Sequence, residues 1–426
     1  MIKRGDQVRF LNAVGGGIVT RVDETKKMVY VEDADGFEVP VFERECLLVG
    51  TINKETNFPV KDFSSKSKII IEPTQITERE TQNTEREIRN IEPIIETPEG
   101  DAKYFYGAEC SGNAFLAMQN YDAGKLSYYY RKAFDKGAYP KWLAEFGRNF
   151  LMGCDTNAIL FTGGNADFDI CSYLQLCENF RTDITVIPIG NIDRPWYVQF
   201  LKNGLKGGVR NITLNLTEQQ ITDIHPFKWE PTTVSIRVSP TDKKYFGLPD
   251  DYLLQWEVFP DLFSERMHTK TESEKAKARA YLSPQRAILL QIVEDNFAER
   301  PIYFSNFASP AFYGGLDSCF QYCGLVSKLL PVKTSGSKYA VDKLKLEALL
   351  CLGNLGDYKS IQEHNIPRIS RIALSGYSNA FVYLAELYKK SDETDKLKSL
   401  IALYEDTMHI HFDPEYETET MNALKK

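Results

Sequence analysis

Asn165, Asp167, Asp193, Arg194 and Trp196 are the residues whose types and spacing best suit chemistry. The first two fall in a Gly-rich turn, Thr162-Gly163-Gly164-Asn165-Ala166-Asp167, directly after the apolar run Ala158-Ile159-Leu160-Phe161. Beyond it Ile170, Tyr173, Leu174 and Cys177 recur at helical spacing. Ile184-Thr185-Val186-Ile187-Pro188-Ile189 then reads as a second strand leading to Asp193, Arg194 and Trp196. Strand, sharp turn, helix and strand make a parallel βαβ unit. Such units bind ligands beyond the carboxyl ends of their strands, where backbone N–H groups and a helix dipole converge. An amide, two carboxylates, a guanidinium and an indole at that point form a crevice suited to a nucleotide or a sugar. The turn has neither GxGxxG spacing nor a P-loop lysine, and Asp167 with Asp169 would repel a phosphate unless a metal lay between them. The same side chains serve equally as turn and N-cap groups.

Other chemistry is sparse. No Gly-x-Ser-x-Gly elbow, HExxH or Walker lysine motif occurs. His409 and His411, with Asp406 and Asp413, suit either a metal or a solvated helix end. The eight cysteines contain no CxxC pair, so buried thiols are expected and neither a metal nor a cofactor is assigned. With no complete catalytic constellation in the sequence, a non-catalytic binding or scaffold protein is the leading expectation. A nucleotide- or sugar-binding protein or enzyme at the Asn165/Asp167/Asp193 crevice is the alternative.

The elements that must position these residues continue the alternation. Thr232 to Val238 reads as a strand, Ser283-Pro284 as the cap and first residue of a helix with Ile288, Leu289, Ile292, Val293 and Phe297 on one face, and Pro301 to Ser305 as a strand. A doubly wound, Rossmann-like α/β domain is expected over residues 102–333, opening with aromatic-rich helices around Tyr128 to Phe134 and Trp142 to Phe146. Residues 334–426 are expected to be helical. Hydrophobic residues make up 43% of the 426, enough for a sizeable core. No window approaches eighteen uninterrupted apolar residues and the N-terminus lacks the apolar core of a secretory signal, so no membrane span and a cytoplasmic location are expected.

Residues 1–50 differ in texture. Short runs at Gln7 to Phe10, Gly17 to Val22, Met28 to Glu32 and Phe37 to Val41, punctuated by Gly-rich and Asp-rich turns, predict an SH3-like or Tudor/KOW-like β-barrel. Phe10, Tyr30, Phe37 and Phe42 either line a groove for a peptide or nucleic acid or fill the interior. Residues 51–101, rich in Ser, Thr, Glu and Asn, read as a flexible linker. The net charge of −8 disfavours nucleic-acid binding by the chain as a whole, leaving the barrel as its one place. Protein partners are expected, with a small-molecule ligand as the alternative.

Two resemblances add to this reading. Ile159-Leu160-Phe161-Thr162, Gly164, Asp167, Tyr173-Leu174-Gln175, Glu178, Arg181-Thr182-Asp183 and Trp196-Tyr197 form a first motif block. Arg300-Pro301-Ile302-Tyr303-Phe304, Gly315-Leu316, Gln321, Gly324-Leu325 and Leu330-Pro331-Val332-Lys333 form a second. Residues 150–333 thereby resemble the soluble C-terminal region of bacterial multi-spanning membrane proteins related to protein O-mannosyltransferases. Where that family has Asp-Asn-Asp, this chain has Asn165-Ala166-Asp167, one carboxylate fewer, and it has no counterpart of the membrane-embedded part that holds the glycosyl-transfer chemistry. The resemblance therefore implies a fold and not an activity. Gly5-Asp6-Gln7-Val8-Arg9-Phe10-Leu11-Asn12, Gly15-Gly16-Gly17-Ile18-Val19, Asp35-Gly36-Phe37 and Arg44-Glu45-Cys46 resemble the N-terminal domain of proteins that carry an Smr domain, which implies a binding module.

Overall fold

The computed structural model describes residues 2–10, 16–23, 27–32, 38–42, 46–51, 99–206, 208–263, 280–351, 355–361, 364–408 and 414–425. The chain forms two compact units, Met1–Glu92 and Pro93–Lys426. The linker expected over residues 51–101 lies almost wholly outside the described residues, as do His409, His411 and Asp413.

In the first unit β1 (Asp6–Phe10), β2 (Gly16–Asp23), β3 (Met28–Glu32), β4 (Glu38–Phe42) and β5 (Cys46–Thr51) form an antiparallel sheet in the order β4-β3-β2-β1-β5. Val8, Val19, Val29 and Val31 are buried with Ile2, and Val29 and Val31 alternate with less buried neighbours, as a one-faced sheet requires. Among the described residues no ladder joins β4 to β5. The structure thus establishes a five-stranded antiparallel sheet; the expected closure into an SH3-like barrel is not established.

The second unit opens with α1 (Glu99–Gln119), α2 (Ala123–Asp135) and α3 (Lys141–Gly153), then β6 (Ile159–Thr162), α4 (Asn165–Glu178), β7 (Thr185–Pro188) and α5 (Pro195–Asn203). There follow α6 (Glu218–Thr222), β8 (Phe227–Lys228), β9 (Thr232–Arg237), α7 (Pro240–Phe246), β10 (Leu253–Val258), β11 (Leu262–Phe263), β12 (Ala280–Leu282), α8 (Pro284–Asn296) and β13 (Ile302–Ser305). β14 (Phe320–Tyr322), β15 (Val326–Leu329), α9 (Lys343–Cys351), α10 (Pro367–Lys390), α11 (Thr394–Thr407) and α12 (Pro414–Lys425) complete it.

The central sheet has the order β14-β15-β13-β6-β7. Three adjacent members, β13, β6 and the edge strand β7, are parallel, and every residue of the three is buried because helices cover both faces. The expected doubly wound sheet is corrected in two respects. β15 and β14 extend it in antiparallel sense, and β9 leaves it altogether to pair with β10 in a separate hairpin. The alternation of Thr232 to Val238 is the mark of a strand exposed on one side, whereas a strand inside a two-sided sheet is apolar throughout.

Local chemistry sets the helix starts. Asp122 caps α2 by accepting from the Lys125 N–H at 2.9 Å, and Ser283 caps α8 ahead of Pro284, as expected. Gly147 of α3 lets α4 approach: a Cβ there would lie 2.8 Å from Ile170 and 2.9 Å from Leu174. The C-terminal helices share one continuous core with the sheet, and the tie is partly polar. Asn149 Nδ2 donates to the Tyr377 hydroxyl at 2.7 Å, Tyr358 donates to it at 2.6 Å, and Trp142 Nε1 donates to the His364 carbonyl at 2.8 Å. No helix among the described residues is long and apolar enough to cross a membrane.

Candidate functional site

β6 runs into the Gly-rich turn with Thr162 level with Pro188 of the parallel β7, and Phe161 is paired with Phe304 of β13. Position 163 requires glycine for space, since a Cβ would lie 2.8 Å from the Phe307 carbonyl oxygen. Gly164 has φ 154° and ψ −148°, a combination glycine accepts and other residues resist. This sharp turn aims the first turn of α4 back over the strand ends.

Asp167 then closes the turn. Its Oδ2 accepts from the Gly163 N–H at 2.9 Å and its Oδ1 from the Gly164 N–H at 3.0 Å, and the Ser305 hydroxyl from the end of β13 also bonds to it. Burial pushes its pKa up, against the pull of those donors. The two N–H groups that an anionic ligand would use are therefore held by the protein's own carboxylate.

Of the other expected residues, Asp193 and Trp196 have partners of their own. Asp193 lies after β7 and accepts from Gln285 Nε2 of α8 at 2.6 Å. Arg194 is exposed at the start of α5. Trp196 packs edge-on against Phe115 of α1, which in turn stacks on Phe168 of α4 with centroids 5.6 Å apart. Asn165 opens α4, and its side chain lies outside what is described. No hydrogen bond or ring contact among the described residues links Asp167, Asp193, Arg194 and Trp196. Two atoms there, Thr162 Oγ1 and Asp193 Oδ1, are buried without a partner among the described residues.

Two residues beyond Asp167 in α4, Asp169 is buried, and its Oδ1 accepts from Ser111 Oγ of α1 at 2.7 Å and from the Tyr130 hydroxyl of α2 at 3.4 Å. Burial pushes its pKa up to about 7, and the neighbouring Asp167 adds to the effect. A carboxyl tuned to neutrality suits proton transfer, but the space beside it is about 20 Å³, room for about one water and no substrate. Asp169 is a structural group.

Gln175, Arg181 and Asp183 of the first sequence block and Arg300 of the second lie at the opposite, amino-terminal end of the sheet. Arg181 grips Asp183 through two N–H groups at 2.9 and 3.0 Å and donates to the carbonyls of Leu151, Cys154 and Asp155. That guanidinium holds the Asp183 carboxyl down at about 2. Gln175 donates to the carbonyls of Arg181 and Ile184, both at 2.8 Å. Arg300 donates to the carbonyls of Asn157, Ala158 and Asn211 and to Thr185 Oγ1, at 2.8 to 3.2 Å. All four side chains bind the fold together.

Residues 143–226 match the family model described as TMEM260-associated domain 2. That span covers most of α3 and everything from β6 to α6, and it overlaps the block on which the resemblance to membrane-protein soluble regions rests. Residues 7–72 match a model described as a domain of unknown function, DUF8465. Neither description mentions an Smr or SH3 domain, so the resemblance of residues 1–50 to Smr-protein N-termini gains nothing from them. No curated protein and no solved structure matches the chain.

In the first unit Phe10 lies on β1 and Phe42 on β4, and Phe37 falls outside the described residues. Tyr30 is half-buried, with the Arg21 guanidinium 3.5 Å from its ring centroid, so one face of that ring is already covered. The sequence reading passed over Trp229 and Trp256. Two of the four tryptophans within thirty residues was a signal open to it.

Proposed function

We propose that the chain is a non-catalytic binding protein, pairing a small antiparallel β module that engages protein partners with an α/β unit whose strand-end turn serves structure. The observation that carries this reading is Asp167: both its oxygens are held by the Gly163 and Gly164 N–H groups, the donors a ligand at this turn needs. The motif residues Gln175, Arg181, Asp183 and Arg300 support it, since each is engaged with backbone or with another of the set. The SH3-like reading of the first unit is supported by the return of β5 to pair with β1 and by register shifts at Gln7/Val8 and Val19/Arg21, which bend such sheets.

A thermal-shift screen of the full chain against nucleotides, nucleotide-sugars and divalent metals tests it. The expected result is no shift, with Asp167→Ala losing about 1–2 kcal/mol of stability as a turn cap does. A hit abolished by Asp167→Ala would replace this reading with the second one, a nucleotide or sugar site at the strand ends, which the unpartnered Thr162 Oγ1 and Asp193 Oδ1 favour. Nucleic-acid binding that falls steeply with salt and disappears on deletion of residues 1–51 would replace the protein partner of the β module.

A further inference from the structure

A cavity of about 650 Å³ opens within the Pro93–Lys426 unit, where the β9–β10 hairpin, β8 and one flank of α8 meet. Its size falls within the range of small-molecule sites. Phe227, Trp229, Val234, Trp256 and Leu290 supply apolar wall. Both indoles are fixed by backbone acceptors: Trp229 Nε1 donates to Val258 O at 3.0 Å and Trp256 Nε1 to Gly314 O at 2.9 Å. With their N–H groups engaged, the rings offer carbon surface to a guest. The hairpin behind them is paired over six residues and α8 is capped by Ser283, so the walls are formed before a ligand arrives.

Among the described residues, the lining also carries the carboxylates of Asp223 and Glu294 against the single ammonium of Lys228. His225 turns Nδ1 to the Asp223 carbonyl at 2.6 Å, and among the described residues Glu294 accepts a 3.4 Å contact from Gln291 Nε2. Aromatic rings attract cations, and a net negative lining adds to that preference while repelling phosphates.

We propose that this cavity binds a small planar-ring molecule carrying a protonated amine. The proposal deepens the binding reading, and it is tested at residues other than Asp167 and its partners, so the two fail separately. Calorimetric titration of the full chain with tryptamine, tryptophol and indole-3-propionate compares a cation, a neutral molecule and an anion on one ring and spacer. Tryptamine is expected to bind at least roughly fivefold tighter than indole-3-propionate, and Glu294→Gln to shrink that ratio severalfold. Leu290→Trp, which fills the cavity, is expected to abolish binding of all three; Ser235→Trp does the same from the hairpin side should Leu290→Trp not fold. Absence of binding by all three probes at about 10 mM, equal binding of cation and anion, or binding unchanged in a folded cavity-filling variant overturns the proposal.

Discussion

Asp169 shows how strongly one buried carboxyl can couple stability to pH. Its ordinary value is 3.8 and burial raises it to about 7, so the folded protein holds this proton more tightly than the unfolded chain does. The associated stabilisation is complete below the ordinary value and is lost as pH rises through neutrality, a change on the order of 4 kcal/mol. Asp169→Asn removes the titration and keeps an oxygen for Ser111. Urea unfolding at pH 5 and pH 8 should find the native protein markedly weaker at the higher pH and the variant nearly level. An equal slope in both would mean that Asp169 is not the group responsible. At this scale the sequence was partly legible: a cap role for Asp167 follows from Gly-Gly-Asn-Ala-Asp alone, but the partners of Asp169, Ser111 and Tyr130, lie 58 and 39 residues away. Nothing in the local sequence could point to them. The partner of Asp193 was hidden for the same reason, since Gln285 comes from 92 residues further along.

Among elements, one ammonium of α9 ties α3, the segment between α3 and β6, and β13 together. Lys345 Nζ donates to Gly153 O and Asp155 Oδ1, both at 2.7 Å, and to the Tyr303 hydroxyl at 2.9 Å, while Lys328 of β15 reaches Asp155 Oδ2 at 2.7 Å. Burial works to raise the Asp155 pKa, but the two lysines outweigh it and hold the carboxyl well below its usual range. Stability from this knot is present above the ordinary carboxylate value and is lost as pH falls below it. Lys345→Met is expected to cost about 1–3 kcal/mol at pH 7 and clearly less when Asp155 is already replaced by Asn. Chemical denaturation of the two single variants and the double variant at pH 7 checks it, and an undiminished loss in the Asp155→Asn background would refute the ionic account. The elements that could be read in advance were those with strong local signals, such as the apolar runs of β6 and β13 or Ser283-Pro284 before α8. β14 and β15 could not, because Phe320-Gln321-Tyr322 and Val326-Ser327-Lys328-Leu329 are too short to carry a period and become strands only by pairing.

For the whole molecule, the chain divides into two compact units at Glu92/Pro93, and the common core running from Cys110 to Leu424 within the second was not legible in the sequence. A core of that span arises from packing between distant segments, which periodicity does not encode. The tryptophan-lined cavity belongs to the same class, for its walls come from residues 216 to 294. Arg300 concentrates this non-locality: its four acceptors sit 143, 142, 115 and 89 residues away. Such bonds cannot form until β6, β7 and the segment around Asn211 have docked beside β13, so they should be absent from the folding transition state. Lysine supplies no planar fork to replace them. Arg300→Lys should therefore leave the refolding rate almost unchanged and accelerate unfolding roughly thirtyfold or more, which stopped-flow denaturant jumps would measure. By this account the guanidinium acts as a kinetic latch, setting how long the native state lasts and hardly how fast it is reached.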